Sequence, residues 1–202
     1  MNFIRTLKQL KQRISQYSPR ALSTMPAAEE RTATPKNELP ALTPTEFRQY
    51  NRLADQMNQY HNGFRQYWNQ LYTACESGQR PKSVTIRQFL SLGLRFAEGL
   101  EMHHSIEETY FFPLLARKMP SFRDQDALLG QHRKIHAGLD KFTAYLEECK
   151  KGERELILKE LKVIMELFGE VLWQHLDDEV KELGAENMRK YWTLAEVNML
   201  GK

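Results

Sequence analysis

The six histidines of this chain fall into four groups, and several have carboxylates or further histidines at one-turn spacing. Residues four apart in an α-helix lie on the same face, about one turn apart. Three such pairs occur, namely His103 with Glu107, His132 with His136, and His175 with Glu179. Imidazole nitrogens bind iron, zinc or copper, and carboxylates can bridge harder ions. The pattern therefore predicts metal chemistry. His61, in a separate segment earlier in the chain, is a further candidate ligand.

Taken together, the four segments offer enough ligands for two metal ions inside a helical bundle. The candidate ligands are His61, His103, Glu107, His132, His136, His175 and Glu179. A single histidine on an apolar helix face is more often a core residue, and His61 alone would be interpreted in that way. The joint pattern favours a metal site, because four buried imidazoles without partners would be costly.

The kinds of ligand narrow the choice of metal. A structural zinc site is usually four-coordinate and rich in thiolate, whereas calcium and magnesium prefer oxygen ligands. Cys75 and Cys149 are far apart in the sequence, and we expect both to be reduced residues of the core or its boundary. Two iron ions fit best, with dimanganese or zinc as alternatives. The Glu-x-x-His spacing of ferritin-like di-iron bundles occurs once, from Glu101 to His104, so the site is histidine-rich.

Four long amphipathic segments must position these ligands. The first begins at a capping box over residues 43–46, with Pro44 at the first helical position, and ends at residues 78–81. The others are predicted from near Ser83, over residues 124–151 and over residues 153–183, each with at least one histidine on the apolar stripe. Long helices with short connections predict an all-α, up-down-up-down four-helix bundle. Short helical pieces are expected over residues 185–202.

Two further signals concern the ends of these segments. Pro113 should break or kink the second segment, since proline lacks the N–H that a helix interior needs. A second capping box, Thr193 to Glu196, predicts a short helix near the end of the chain. No alternation typical of strands occurs.

Length and charge exclude several other classes of protein. A chain of 202 residues can form one domain with a sizeable core. No apolar run approaches the roughly 20 residues of a transmembrane helix. The net charge of +3 arises at the N terminus, because residues 1–28 hold five basic side chains and no acid. The rest of the chain is slightly acidic and shows no basic patch, so we expect no nucleic-acid partner.

The first 28 residues are typical of a targeting segment. Their apolar residues form a helical stripe, and serine and arginine occur without acids, as in a mitochondrial presequence. We therefore expect a presequence or amphipathic arm over residues 1–28, a linker over residues 29–43 and the bundle with its extension over residues 44–202. Initiation at Met25 would instead give a cytoplasmic form.

As a set, these motifs resemble the hemerythrin-like proteins that carry the HHE cation-binding domain, most of all the fungal single-domain members. The resemblance covers about residues 44–192. It rests on the isolated His61, on His103-x-x-x-Glu107-Glu108 running into Phe112-Pro113, on His132-x-x-x-His136, on His175-x-x-x-Glu179 and on the segment that ends at Trp192.

The resemblance implies a four-helix bundle around two iron ions with an oxo or hydroxo bridge. One iron would be held by His132, His136 and His175, the other by His61 and His103, and Glu107 and Glu179 would bridge the two. This ligand set leaves one open position on the iron with two histidines. Dioxygen or a small anion would bind there.

The last carboxylate departs from one branch of the family. The oxygen-carrying hemerythrins of marine invertebrates have aspartate five positions after the last histidine, where this chain has Val180. Glu179 instead matches the His-x-x-x-Glu form of other HHE domains, and Asp178 is a weaker candidate. His104 and Glu108 lie one step off the apolar stripe, so we expect them to support ligands or pack between helices.

Three functions are compatible with such a site. The leading hypothesis is a non-haem di-iron protein that binds dioxygen or another small ligand. Its role would be to bind, sense or store that ligand. The alternative is a di-iron oxygenase or peroxidase-like enzyme that acts on an organic substrate with electrons from a redox partner. Iron homeostasis is less favoured, because a closed bundle offers no cavity for many iron ions.

Overall fold

The computed structural model describes residues 39–123 and 127–200, and the regular structure in these ranges is helical throughout. The α-helices are α1 (Pro44–Ser77), α2 (Ile86–Ile106), α3 (Phe112–Leu115), α4 (Leu128–Lys151), α5 (Leu158–Glu182), α6 (Ala185–Tyr191) and α7 (Leu194–Val197). A π-helical turn, Glu107–Phe111, joins α2 to α3, and a 3-10 helix, Pro120–Phe122, precedes α4. The targeting segment expected at residues 1–28 and the linker up to residue 38 lie outside the described residues.

The four long helices form a closed ring of neighbours. Helix α1 packs against α2 and α5, and α4 packs against the same two helices. Successive long helices are neighbours in this ring, as in an up-down-up-down bundle. Helices α6 and α7 pack on α1. The all-α bundle with a C-terminal helical extension is thus confirmed.

The ends of α1 follow the predicted local signals. The Thr43 N–H donates to Glu46 Oε2 at 2.9 Å, and the Glu46 N–H donates to Thr43 Oγ1 at 3.3 Å. These two bonds satisfy backbone donors that the first helical turn would otherwise leave unpaired. Gly78, with φ of 67°, ends the helix in the left-handed conformation that favours glycine. The capping box from Thr193 to Glu196 forms as well.

The fourth long helix begins later than the periodicity indicates, at Leu158 and not near residue 153. The Ile157 N–H donates to the Tyr145 hydroxyl at 2.8 Å, and that hydroxyl donates to the Ile157 carbonyl oxygen at 3.1 Å. These bonds hold Ile157 in an extended conformation, so the helix starts only after it. A hydrogen bond between α4 and the residue that precedes α5 cannot be predicted from the hydrophobic periodicity of either segment.

Two apolar clusters fill the bundle, and a polar layer lies between them. The aromatic core contains Phe64, Trp68, Phe96, Phe142 and Phe168. The cap core, where α3, α6 and α7 meet the start of α1, contains Met57, Met119, Met188, Trp192 and Val197. Along α1, His61 lies between Met57 of the cap core and Phe64 of the aromatic core. Within the described ranges, no helix has the length and apolar character needed to cross a membrane.

Candidate metal centre

Seven ionisable side chains are buried in the polar layer between the two cores. They are His61 on α1, His103 and His104 on α2, Glu107 in the π-helical turn, His132 on α4, and His175 and Glu179 on α5. None of them is more than 3% exposed. Burial of polar groups on this scale costs free energy unless each group has a partner. The layer therefore calls for a ligand that compensates several groups at once.

One set of donors, here called the first donor group, combines two histidines with two carboxylates. It consists of His61, His103, Glu107 and Glu179, and its ligand atoms all lie within 4.8 Å of one another. His61 Nε2 is 3.2 Å from Glu179 Oε2, and His103 Nε2 is 2.9 Å from Glu107 Oε1. The group is large enough for one cation at its centre.

The second donor group combines three histidines with a carboxylate that it shares with the first group. It consists of His104, Glu107, His132 and His175, again with ligand atoms within 4.8 Å of one another. His132 Nε2 lies 3.1 Å from His175 Nε2 and 3.5 Å from Glu107 Oε2. Glu107 belongs to both groups, so its two oxygens can face two cations.

Burial gives four of the histidines the protonation state that metal binding requires. It lowers the pKa of His103 and His104 well below the ordinary value, with neighbouring imidazoles adding to the effect. Burial also lowers the pKa of His132 and His175 to about 3, although Glu179 opposes it at His175. These four rings are therefore neutral at pH 7, and a neutral ring nitrogen is what a cation binds.

The shared carboxylate responds in the opposite direction. Burial first, and then the nearby carboxylate of Glu179, raise the pKa of Glu107 well above its ordinary value. Without a cation, Glu107 thus tends to keep a proton, because two buried carboxylates in one site repel each other. A bound cation would replace that proton and remove the repulsion.

A test of fit comes from the buried atoms that lack a hydrogen bond. Within the described residues these include Nε2 of His61, His103 and His104 and all four carboxylate oxygens of Glu107 and Glu179. Some of them lie about 3 Å apart, but they are not aligned as donor and acceptor. Buried polar atoms are normally paired. Cations in the two donor groups would give each of these five side chains a partner, so the residues fit metal ions.

The comparison with protein families agrees with this geometry. A family model described as the hemerythrin HHE cation binding domain matches residues 52–186. The chain belongs to this family. The matched range includes both donor groups, and the family resemblance given by the sequence motifs is confirmed.

One curated relative is similar to this hemerythrin-family chain over 150 residues. It is the "Dimeric xanthone biosynthesis cluster protein R11" of Cryptosporiopsis sp. (strain 8999), at 25% identity. The alignment covers 71% of this chain and 56% of the relative, so the chain spans about half the length of that protein. No solved structure matches the chain significantly.

The hemerythrin-family site brings together six of the seven ligands expected from the sequence. The exception is His136, which is half-buried and belongs to neither donor group. Its Nε2 lies 3.2 Å from Nδ1 of His104, and it is His104 that enters the second donor group. Proximity does not establish ligation, so the ligand roles stay predictions. The adjacent histidines at 103 and 104 were the available signal for His104.

Several ligand candidates have a partner on the outer side of the ring. The His61 Nδ1–H donates to the Leu176 carbonyl oxygen at 2.8 Å. His132 Nδ1 lies 2.7 Å from Glu108 Oε1, and His175 Nδ1 lies 3.2 Å from Gln131 Oε1. A hydrogen bond at Nδ1 fixes the tautomer and turns Nε2 inward, as is usual for histidines that bind metals.

The π-helical turn places the shared carboxylate. The Phe112 N–H donates to the Glu107 carbonyl oxygen, five residues earlier. Pro113, one residue further on, has no N–H to donate, and in a regular α-helix its ring would clash with the carbonyl of Thr109. The predicted break at Pro113 is therefore a widened turn and not a stop. Such turns are frequent at functional sites, and this one carries Glu107 and Glu108.

Proposed function

We propose that this hemerythrin-family protein is a non-haem di-iron protein that binds dioxygen or a small anion. The observation that carries the proposal is the pair of donor groups joined at Glu107. A single buried carboxylate with histidines on both sides suits two cations better than one. Iron in such a site supplies reversible oxidation and an electrophilic position for a small ligand.

The ligand sets follow the two donor groups. We assign His61, His103, Glu107 and Glu179 to one cation, and His104, Glu107, His132 and His175 to the other. Each group offers four protein donors, fewer than an octahedral ion takes, so room remains for an exogenous ligand. Mixed nitrogen and oxygen donors without thiolate favour iron over structural zinc.

The surroundings of the site favour a small ligand. The ring of Phe64 lies 5.1 Å from that of His103, and the ring of Phe112 lies 5.3 Å from that of His132. These aromatic side chains belong to the two cores, and both are at most 2% exposed. They exclude bulk water from the donor groups, which strengthens charge interactions within the site.

An enzyme is the second candidate, for a specific reason. The name of the curated relative refers to a biosynthesis cluster for dimeric xanthones. A role in making an organic compound suits an oxygenase or peroxidase-like catalyst, which would use the same cofactor and an external source of electrons. Consumption of an added reductant and oxygen only in the presence of an organic substrate would favour this candidate.

Iron content combined with optical spectroscopy tests the leading proposal. Protein produced with adequate iron should contain about two iron ions per chain, as two donor groups require. In air it should absorb in the near-ultraviolet and visible, lose these bands with dithionite, and change its spectrum when azide is added. Glu170→Gln, an exposed substitution on α5, is the matched control and should behave like the parent protein.

Two results would contradict the proposal. Protein from iron-replete cells that contains one zinc ion and no iron would exclude a di-iron site. If the protein contains two iron ions but neither azide nor dioxygen changes its spectrum, no position is open to a small ligand.

A further inference from the structure

We propose that His136 is a positioning residue that holds the ring of His104, and that it does not bind metal itself. This inference rests on the metal site proposed above. It concerns a histidine that lies one helical turn beyond His132, at a spacing that by itself favours ligation.

The positions of the two α4 histidines differ. His132 is fully buried, and its Nε2 belongs to the second donor group. His136 is half-buried, and its Nε2 faces Nδ1 of His104 at 3.2 Å. The rings of His136 and His104 are nearly perpendicular, at 74°, with centroids 5.1 Å apart. The distance and position fit a hydrogen bond between two rings.

The chemistry of His104 determines the direction of that bond. His104 Nε2 lies in the donor group and has no hydrogen-bond partner, so a cation there would take its lone pair. The proton of the neutral His104 ring is then on Nδ1, which donates to Nε2 of His136. His136 thus fixes the tautomer that turns the Nε2 lone pair of His104 inward.

The same arrangement recurs at the other histidines of the second donor group. Glu108 accepts at Nδ1 of His132, and Gln131 accepts at Nδ1 of His175. The Gln131 amide donates in turn to Asp178 Oδ2 at 2.8 Å, which fixes the amide oxygen toward His175. Each histidine of this group therefore has one side-chain acceptor behind it, and His136 is that acceptor for His104.

Packing also favours His104 as the ligand over His136. The ring of His104 stacks on that of His132, with centroids 3.8 Å apart and an angle of 12°. His104 is fully buried, and its ring is 5.3 Å from that of His175. Ligation by His136 would require this stacked ring to leave a site where it contacts both other histidines.

Metal titration of the full-length protein separates a positioning residue from a ligand. Metal-free protein would be titrated with cobalt(II), whose ligand-field bands report the donor set, and anaerobically with iron(II). The variants are His136→Leu, His136→Gln and His104→Leu. Glutamine keeps an acceptor near the position of Nε2, whereas leucine removes it. Thermal unfolding of the metal-free variants measures any loss of packing.

The expected results differ between the variants. His104→Leu should bind one cobalt ion fewer than the parent protein and show altered bands. His136→Leu should keep the parent number of ions but bind the ion of the second donor group about 10- to 100-fold less tightly, the usual effect of losing a hydrogen-bond partner behind a ligand. His136→Gln should recover most of that affinity with the parent band positions. Both His136 variants should unfold near the parent temperature.

Other outcomes would overturn the inference. If His136→Gln loses one ion as His104→Leu does, His136 is a ligand. If His136→Leu binds both ions with parent affinity, His136 does not position His104. The same holds if the loss of affinity in His136→Leu is accompanied by an equivalent loss of thermal stability in the metal-free variant. If the parent protein binds neither cobalt nor iron, the proposed metal site fails and this inference fails with it. If the parent protein binds two ions but the His136 variants do not show the expected affinities, only this inference is contradicted and the proposed metal site stands.

Discussion

The two donor groups share Glu107, yet they are held in different ways. In the first, His61 is fixed by a backbone carbonyl, that of Leu176, and the ring of His103 packs against aromatic residues. In the second, every histidine has a side-chain acceptor behind it. One of these acceptors, Glu108, is 43% exposed. The first group is thus fixed by the fold itself, whereas the second depends on individual polar side chains near the surface.

This difference indicates which substitutions act on one ion and which act on both. Changes at Glu107 should affect both groups, because its carboxylate is common to them. Changes at the polar acceptors should affect the second group alone, because the first has no side chain in that role at His61.

Glu107→Ala should produce the largest effect, the loss of most of both ions. The substitution removes the shared donor and leaves the positive charges of the cations less compensated in a buried site. Iron content per chain measures the effect. Glu108→Ala is the matched control and should retain both ions with weaker binding of the second. Greater damage from Glu108→Ala than from Glu107→Ala would reverse the two roles.

His61→Leu and His132→Leu should each remove one ion, from opposite groups. Each histidine lies in only one of the donor groups, so the other group keeps its four donors. Cobalt titration should give one remaining ion in both variants, with different ligand-field bands, since the surviving groups differ in their nitrogen and oxygen donors. Identical bands in the two variants would mean that the groups are not distinct.

Gln131→Leu should have a smaller effect, confined to the second group. It leaves Nδ1 of His175 without its acceptor and should weaken the second ion about tenfold. Competition with a chelator measures the affinity of each ion. Gln174→Leu, at an exposed position on α5, is the control and should match the parent protein. Equal weakening of both ions would remove the proposed difference between the groups.

Without bound metal, the stability of the protein should depend on pH. Folding lowers the pKa of His132 and His175 from 6.5 to about 3, so the unfolded chain binds more protons between these values. The free energy of unfolding should therefore fall as the pH is lowered from about 6.5 toward about 3. Glu107, with a raised pKa, acts in the opposite sense, because its contribution is lost as the pH rises.

Denaturant unfolding at several pH values measures this dependence. His132→Leu should make the curve less steep over that range, since one of the four rings whose pKa is lowered by folding is gone. An unchanged slope in the variant would show that His132 does not titrate between the folded and unfolded states as described.

Local patterns in the sequence were sufficient to predict the helical bundle and most of the residues in the polar layer. One-turn spacing brings Glu107 near His103 and Glu179 near His175, and the apolar stripes orient both pairs inward. The capping box at Thr43 set the start of α1 for a similar reason, because it involves only neighbours in the chain.

Contacts between helices explain what the sequence did not predict. One-turn spacing gave His136 the same face as His132, but in the bundle His136 is half-buried and the ring of His104 stacks on that of His132. A regular helix also places His104 about 100° from His103, and the sequence therefore predicted that His104 supports ligands or packs between helices. In the bundle both histidines are buried, because α2 faces α1 with one side and α4 with the other.

A crystal structure of the iron-loaded protein, with anomalous diffraction measured at the iron edge, tests the central claim most directly. The account predicts two anomalous peaks, one in each donor group, with Glu107 bound to both ions and His104 Nε2 bound to the second. It also predicts that His136 lies behind His104 without touching either ion. A single peak, or a second ion bound by His136 with His104 turned away, would contradict it.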